Sequence, residues 1–198
     1  MRTFLSKPSF FSPWIAAIVV AALQTGVIGY MIESRASILR SGRDVVLKTV
    51  PVDPRDLLRG DYVVLSYEIS SIPADKFVDK PPTEETDAQV SVRLSQGGDG
   101  FWHVAEAAFG TLPQRDDGTV VARSQPFYFY PQTGNIEAPL SVEYGIERYY
   151  VPEGEGKPLE EARNADALSV TARVDESGRM QIRTISIDGK PLYDEPLY

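Results

Sequence analysis

The side chains that could carry chemistry in this chain are mainly carboxylates, because it has no cysteine and a single histidine, His103. Without thiolates it cannot form a disulfide, a cysteine-ligated zinc site, an iron–sulfur cluster or a Cys–His catalytic pair. Asp53, Asp61 and Glu68 are the carboxylates that cluster most closely around one motif. Two carboxylates held at a suitable separation act as general acid and base in hydrolases. This cluster is therefore the basis of an enzymatic alternative.

The single histidine is predicted to be structural. His103 falls in the run FWHVAEAAF, where two-residue alternation places it on the same face as Phe101 and Ala105. This predicts a partly buried, hydrogen-bonded side chain. A Ser-His-Asp triad is not predicted, because the sequence has no nucleophile elbow to pair with His103. Asp116-Asp117-Gly118 lacks the ligand number and spacing of a calcium loop and is predicted to form a hairpin turn. We expect no metal site and no cofactor.

The most informative segment runs from Val50 to Pro73 and contains a Gly-Asp-Tyr-x-x-Leu-x-Tyr pattern, formed by Gly60, Asp61, Tyr62, Leu65 and Tyr67. It resembles the signature of the bacterial GDYXXLXY family, and the later segment from Glu143 to Ala162 is also similar to that family. The resemblance implies a membrane-anchored protein of a kind often encoded beside multi-spanning membrane proteins. It implies no catalytic residue.

Chain geometry also gives the motif a structural interpretation. In an extended strand, Leu65 and Tyr67 lie on the same face as Val63 and Ile69, so all four are predicted core residues. Tyr62 lies on the opposite face.

Residues Pro54 to Arg59, just before the motif, are predicted to form the turn that delivers the chain into this strand. Gly60 permits a positive φ or a close backbone approach, and the Asp61 carboxylate can accept backbone N–H bonds. The alternative is that Asp61 and Tyr62 form a recognition surface. A proline turn before Gly-Asp also occurs in Ser-Lys peptidases, but Val50-Pro51-Val52-Asp53 contains no serine to act as the nucleophile.

The amino-terminal region predicts a transmembrane helix. No charged residue occurs between Pro8 and Ile32, and residues 12–32 are sufficient to cross a hydrocarbon core of roughly 30 Å. Trp14 and Tyr30 lie near the two ends, where aromatic rings favour the headgroup region. A cleaved signal peptide and a buried core helix are the alternatives. The positive charges on the two sides nearly balance, and we expect residues 1–11 to be cytoplasmic because a large domain follows a single anchor.

The rest of the chain predicts a helical linker over residues 33–43, ending near Gly42, and a β-rich domain over residues 44–198. Apolar alternation with period two indicates strands, and Gly- and Asp-rich turns between them, at residues 97–100, 116–118, 176–178 and 188–189, indicate antiparallel pairing. The fold class is therefore mainly β, an antiparallel barrel- or sandwich-like domain, with one short helix at PLEEARNA. We expect an irregularity between Ile182 and Ile185, and loops over residues 71–87 and 131–139.

Two aromatic clusters, Phe127 to Tyr130 and Tyr149-Tyr150, are compatible with a glycan or peptide groove. Core packing is the favoured interpretation, because about half of the side chains in such strands face inwards.

The composition excludes some classes of partner. The chain of 198 residues has 20 Lys and Arg against 28 Asp and Glu, a formal net charge of −8, which argues against nucleic-acid binding. We expect a protein of the bacterial inner membrane whose β domain is extracytoplasmic, non-catalytic, and binds or supports a multi-spanning membrane protein. The alternative is an envelope hydrolase that uses the carboxylate cluster.

Overall fold

The computed structural model describes residues 13–51, 62–131, 138–151 and 156–195, and it shows a mainly β protein with antiparallel sheets. The predicted fold class is confirmed. The helices are α1 (Pro13–Ser41) and α2 (Gly156–Asn164). The strands are β1 (Arg43–Lys48), β2 (Tyr62–Val64), β3 (Ser71–Ile72), β4 (Thr86–Ala88), β5 (Val90–Gln96), β6 (Trp102–Phe109), β7 (Val120–Arg123), β8 (Phe127–Phe129), β9 (Leu140–Ser141), β10 (Arg148–Tyr150), β11 (Leu168–Val174), β12 (Met180–Ile187) and β13 (Lys190–Asp194).

The chain divides into two units, Met1–Ser37 and Ile38–Tyr198. In the first unit, α1 is a single helix that continues without a break through residues 33–37. The 29 residues of α1 extend about 43 Å. By length and composition this helix is able to cross a membrane, and its large apolar side chains from Trp14 to Ile32 are exposed.

The second unit begins with the last turn of α1, which ends where the sequence predicts, at Gly42. The Gly42 amide donates a hydrogen bond of 2.8 Å to the Ile38 carbonyl. A Cβ at Gly42 would lie 2.6 Å from that carbonyl and 3.0 Å from the Arg173 Cβ, so only glycine fits here. The Arg173 guanidinium donates to the Leu39 carbonyl, which satisfies another acceptor at the helix end.

The larger sheet has the strand order β1-β11-β12-β13. Its side chains alternate as predicted, and Leu168, Val170, Ala172 and Val174 are all buried. The predicted irregularity in β12 is confirmed as a bulge, because Thr171 pairs with Thr184 and Ala172 pairs with Ile182, leaving Arg183 as an extra residue. The turns at residues 176–178 and 188–189 close hairpins, as expected.

The second sheet has the order β6-β5-β7, and it corrects one prediction. The glycine-rich turn at residues 97–100 does close the β5–β6 hairpin. Asp116-Asp117-Gly118, however, is not a hairpin turn. Because β6 already occupies one edge of β5, β7 pairs with the other edge, and residues 116–118 lie in the connection that crosses from one edge to the other. The Asp117 carboxylate accepts the Thr119 amide at 3.0 Å, which stabilises this crossing.

Three two-stranded ribbons complete the described sheets: β2–β10, β3–β9 and β4–β8. The prediction of a loop over residues 71–87 was wrong in part, because Ile72 is buried and pairs with Leu140, a 3₁₀ turn occurs at Ala74–Lys76, and β4 begins at Thr86. The prediction for 131–139 falls mostly on residues outside the described ranges. None of the described sheets closes into a barrel.

The short helix α2 was predicted from its sequence. Pro158 lies in its first turn, and Leu159 and Ala162 are buried on one side. These side chains join a core that also includes residues of β1, β2, β5, β11 and β12. The core therefore connects the two larger sheets to the segment that carries the motif.

Candidate functional site

The structure describes part of the sequence motif. Tyr62, Leu65 and Tyr67 are described, whereas Gly60 and Asp61 lie outside the described residues. The turn predicted over residues 54–59 and the carboxylate Asp53 also lie outside them. The geometry of the motif is therefore given from Tyr62 onwards.

The inward face of the motif is confirmed as core. Val63, Leu65, Tyr67 and Ile69 are each at most 2% exposed, as the predicted alternation requires. Only Tyr62–Val64 is a regular strand, because the chain enters a 3₁₀ turn at Glu68. The alternation nevertheless continues, since the backbone at Tyr67 is extended and forms an antiparallel bridge with Thr49.

Two buried tyrosines, Tyr67 and Tyr144, each donate a hydrogen bond to the backbone of the chain segment that carries the other. The Tyr67 hydroxyl donates to the Ile146 carbonyl at 2.7 Å, and the Tyr144 hydroxyl donates to the Ile69 carbonyl at 2.8 Å. Burial, and to a smaller extent the charge of Glu147, raises the pKa of both phenols well above the usual value. Both side chains are therefore neutral hydrogen-bond donors across the physiological pH range.

The backbones of the same two segments are paired at both ends and joined by single hydrogen bonds between them. We call residues 62–72 the motif segment and residues 140–150 the return segment. Tyr62 pairs with Tyr150 at one end, and Ile72 pairs with Leu140 at the other. Between them, the Leu65 amide donates to the Glu147 carbonyl at 2.8 Å, and the Val142 amide donates to the Ser70 carbonyl at 2.9 Å.

A tight turn in the return segment explains why the pairing is interrupted in the middle. Gly145 has φ of +85°, a conformation that favours glycine. The Glu147 carboxylate accepts the amides of Tyr144 and Gly145. This turn places the Tyr144 ring against the motif segment. Tyr144 was not among the residues predicted from the sequence, and the signal that could have found it was the EYGIE run within the second region of family resemblance.

The outward face of the β2–β10 ribbon carries four side chains, and we call it the Arg148 face: Tyr62, Val64, Arg148 and Tyr150. The Tyr62 and Tyr150 rings are tilted against each other with centroids 5.9 Å apart. The Arg148 Cζ lies 5.8 Å from the centroid of the Tyr62 ring, which is a cation–π distance. Tyr150 is 71% exposed, so the prediction that the Tyr149-Tyr150 cluster is core holds only for Tyr149, which packs against the core.

Arg148 is the charged member of this face, and it was not predicted from the sequence. Among the described residues no carboxylate forms an ion pair with its guanidinium. Its spacing relative to Tyr150, two residues along a strand, is the signal that would have placed both on one surface. The face therefore offers two phenol groups and a guanidinium to a ligand.

His103 forms a second polar cluster, at the end of the motif. Its Nδ1 lies 2.7 Å from Glu68 Oε1, and its Nε2 lies 3.1 Å from both carboxylate oxygens of Asp99. The prediction of a hydrogen-bonded histidine is confirmed. A Cβ on Gly97 would lie 2.9 Å from His103 Nε2 and 2.7 Å from Asp99 Oδ1, so a larger residue at this position would clash with the cluster.

The two carboxylates determine the protonation of this histidine. The hydrogen bond with Asp99 and then the one with Glu68 raise the pKa of His103. The hydrogen bond with His103 is the largest cause that lowers the pKa of Asp99. Protonated His103 thus joins the first residue after the motif to the β5–β6 hairpin through two charge-assisted contacts.

Of the three carboxylates in the enzymatic alternative, Asp53, Asp61 and Glu68, only Glu68 lies in the described residues. The Glu68 carboxylate is hydrogen-bonded to His103 and not to a second carboxylate. In the part of the chain that the structure describes, no group of three or more histidine and acidic residues is arranged to hold a metal ion.

The tyrosine bonds can be tested by removing single hydroxyl groups. We expect Tyr67→Phe and Tyr144→Phe each to lower the free energy of unfolding by about 1–3 kcal/mol, because each leaves a buried carbonyl without its donor. Tyr67→Ala should cost about 3 kcal/mol or more. The matched control is Tyr150→Phe, which removes an exposed hydroxyl and should stay within about 0.5 kcal/mol of wild type. Denaturant unfolding measures all four, and a Tyr67→Phe variant as stable as Tyr150→Phe would contradict the assignment.

The histidine cluster predicts a pH-dependent contribution to stability. Because the folded pKa of His103 is raised, its contribution is fully present below the unfolded value of about 6.5 and is lost as the pH rises through the folded value. Wild type should therefore melt above His103→Gln near pH 5.5, and the difference should shrink towards pH 8.5.

Thermal melts at several pH values measure this difference. Glu176→Gln, which removes an exposed carboxylate on another hairpin, is the control and should show no such trend. A difference that is constant or grows with pH would count against the cluster as described.

Comparison with known proteins matches one family to this chain. The family described as GDYXXLXY protein matches residues 24–185, which include the motif segment and the return segment. No curated protein and no solved structure matches. Since the matched region covers most of the chain, this protein belongs to the GDYXXLXY family.

Proposed function

We propose that this protein is a single-pass anchored protein of the bacterial inner membrane whose extracytoplasmic β domain is non-catalytic and binds a partner membrane protein. The anchor is α1, which is long and apolar enough to cross a bilayer. The binding surface is the Arg148 face.

The exposure of this face is the observation that carries the proposal. Leu65 and Tyr67 of the motif are buried and hydrogen-bonded within the domain, so their role is structural. The same segment directs half-buried Tyr62 to the outer side, together with the exposed side chains Val64, Arg148 and Tyr150. Exposed tyrosine and arginine side chains are typical of the central residues of protein interfaces.

The charge of Arg148 indicates what the partner presents. Since no carboxylate in the described residues pairs with this guanidinium, a partner surface with a carboxylate or with free backbone carbonyls would complement it. The two tyrosine rings already contact each other on paired strands, which reduces the side-chain entropy that is lost when they are covered.

The topology is tested with reporter fusions after Tyr198. We expect alkaline phosphatase, which is active only outside the cytoplasm, to be active, and β-galactosidase at the same position to be inactive. The full-length chain should stay in the membrane after carbonate extraction. Active β-galactosidase, or release of a fragment beginning near Leu23, would contradict the proposed anchor.

The binding surface is tested by site-specific photocrosslinking in intact cells. A benzophenone amino acid at Val64 should form an adduct with a membrane protein, identified by mass spectrometry. The adduct should be lost when Arg148→Gln and Tyr150→Ser are added. The same probe at Glu176, exposed on the β11–β12 hairpin, is the control and should give no such adduct. Equal labelling from both positions, or an adduct that survives the two substitutions, would contradict the proposal.

A further inference from the structure

We propose that the outward face of the β4–β8 ribbon binds a lysine- or arginine-bearing segment of another protein. This face is distinct in sequence from the Arg148 face, and its role does not depend on the function proposed above. Four side chains form it, and we call it the acidic tyrosine face: Glu85, Asp87, Tyr128 and Tyr130.

The ribbon has one face in the core and one face in solvent. Phe129 and Ala88 are buried, and the Phe129 ring contacts the Phe109 ring edge-to-face at 5.1 Å. Alternation then directs Tyr128 and Asp87, which are paired across the two strands, to the other side. The prediction that Phe127 to Tyr130 pack in the core is therefore right for the two phenylalanines, Phe127 and Phe129, and wrong for the two tyrosines.

The exposed side chains form one compact arrangement. The rings of Tyr128 and Tyr130 lie edge-to-face with centroids 4.8 Å apart. The Tyr128 hydroxyl donates to Glu85 Oε2 at 3.2 Å, which holds a carboxylate beside the ring pair. Tyr128 is 49% exposed and Tyr130 is 66% exposed, so both side chains are accessible to a ligand.

The negative charge of this face indicates that its ligand is positively charged. Within the described residues, neither Glu85 nor Asp87 forms an ion pair with a lysine or arginine. A cation placed over a tyrosine face is attracted by the ring, and the two carboxylates add to that attraction. The chain itself provides the comparison, because the tyrosine pair on the Arg148 face has its own guanidinium, whose Cζ lies 5.8 Å from the Tyr62 ring centroid. The acidic tyrosine face also has two tyrosine rings, but the charged groups beside them are carboxylates instead of a guanidinium.

The shape of the face favours a peptide side chain over a small molecule. A two-stranded ribbon is an open surface, so a free ammonium ion would remain largely hydrated on it. A lysine or arginine held by its own backbone can lay its aliphatic stem along the rings and place its charge beside the carboxylates. Rings inclined at 62° to each other do not form the flat platform on which a sugar ring stacks.

The experiment measures binding of a defined probe to the full-length chain in a non-ionic maltoside detergent. The probe is a fluorescein-labelled peptide of alternating arginine and glycine, and the readout is fluorescence anisotropy. We expect saturable binding, with roughly tenfold weaker affinity for Tyr130→Ser and for the double variant Glu85→Gln/Asp87→Asn. The same peptide with citrulline in place of arginine keeps the shape without the charge and should not bind.

Controls separate this surface from the net negative charge of the protein and from the Arg148 face. Glu160→Gln/Glu161→Gln removes two negative charges from α2, and Tyr150→Ser removes a ring from the other ribbon, and neither should change the affinity by more than about twofold. Thermal melts establish that each variant is folded. The inference is overturned if the peptide does not bind, if the control variants weaken binding as much as the acidic tyrosine variants do, or if tetramethylammonium or a chitin oligosaccharide competes at concentrations similar to the peptide.

Discussion

The domain depends on the pairing of two chain segments that are about eighty residues apart, and two buried tyrosine hydroxyls hold that pairing where the backbone cannot. The turn at Gly145 interrupts the ladder, which would leave the carbonyls of Ile69 and Ile146 unpaired in the core. The Tyr67 hydroxyl donates a hydrogen bond to the Ile146 carbonyl, and the Tyr144 hydroxyl donates one to the Ile69 carbonyl. A buried carbonyl without a donor lowers the stability of the fold. The two phenols therefore favour this one alignment of the segments at the turn, as backbone hydrogen bonds do at the two ends.

The motif segment also joins this pairing to the larger sheet. Thr49, which follows β1, forms a bridge with Tyr67, and the Val50 amide donates to the Ser66 carbonyl at 2.9 Å. The Thr49 hydroxyl donates to the Leu168 carbonyl at 2.7 Å, at the start of β11. The segment therefore lies between the return segment and the four-stranded sheet, and its inner residues contribute to both sides of one core. At its far end, Glu68 binds His103 and connects the segment to the β5–β6 hairpin.

This arrangement separates structural from accessible residues within the motif itself. Because side chains in an extended chain alternate, the same segment that buries Val63, Leu65 and Tyr67 presents Tyr62 on the outside. The β4–β8 ribbon follows the same rule with Phe129 inside and Tyr128 outside. Each of these two ribbons thus has one face in the core and one outward face, and the two outward faces differ in the sign of their charge.

The sequence by itself determined the features that depend on local patterns: the apolar helix, the alternation of buried residues, the glycine at the end of α1, the bulge in β12 and the hydrogen-bonded state of His103. It also identified the family, because the motif is a run of fixed residue types. The tertiary structure alone decided which distant groups meet. The turn at residues 116–118 was misassigned because strand order depends on which edge of β5 is free, and no local pattern encodes that. The bonds of Tyr67 and Tyr144, and the position of Arg148 over Tyr62, arise from residues far apart in sequence, whose proximity is produced only by strand pairing and the burial of a shared core.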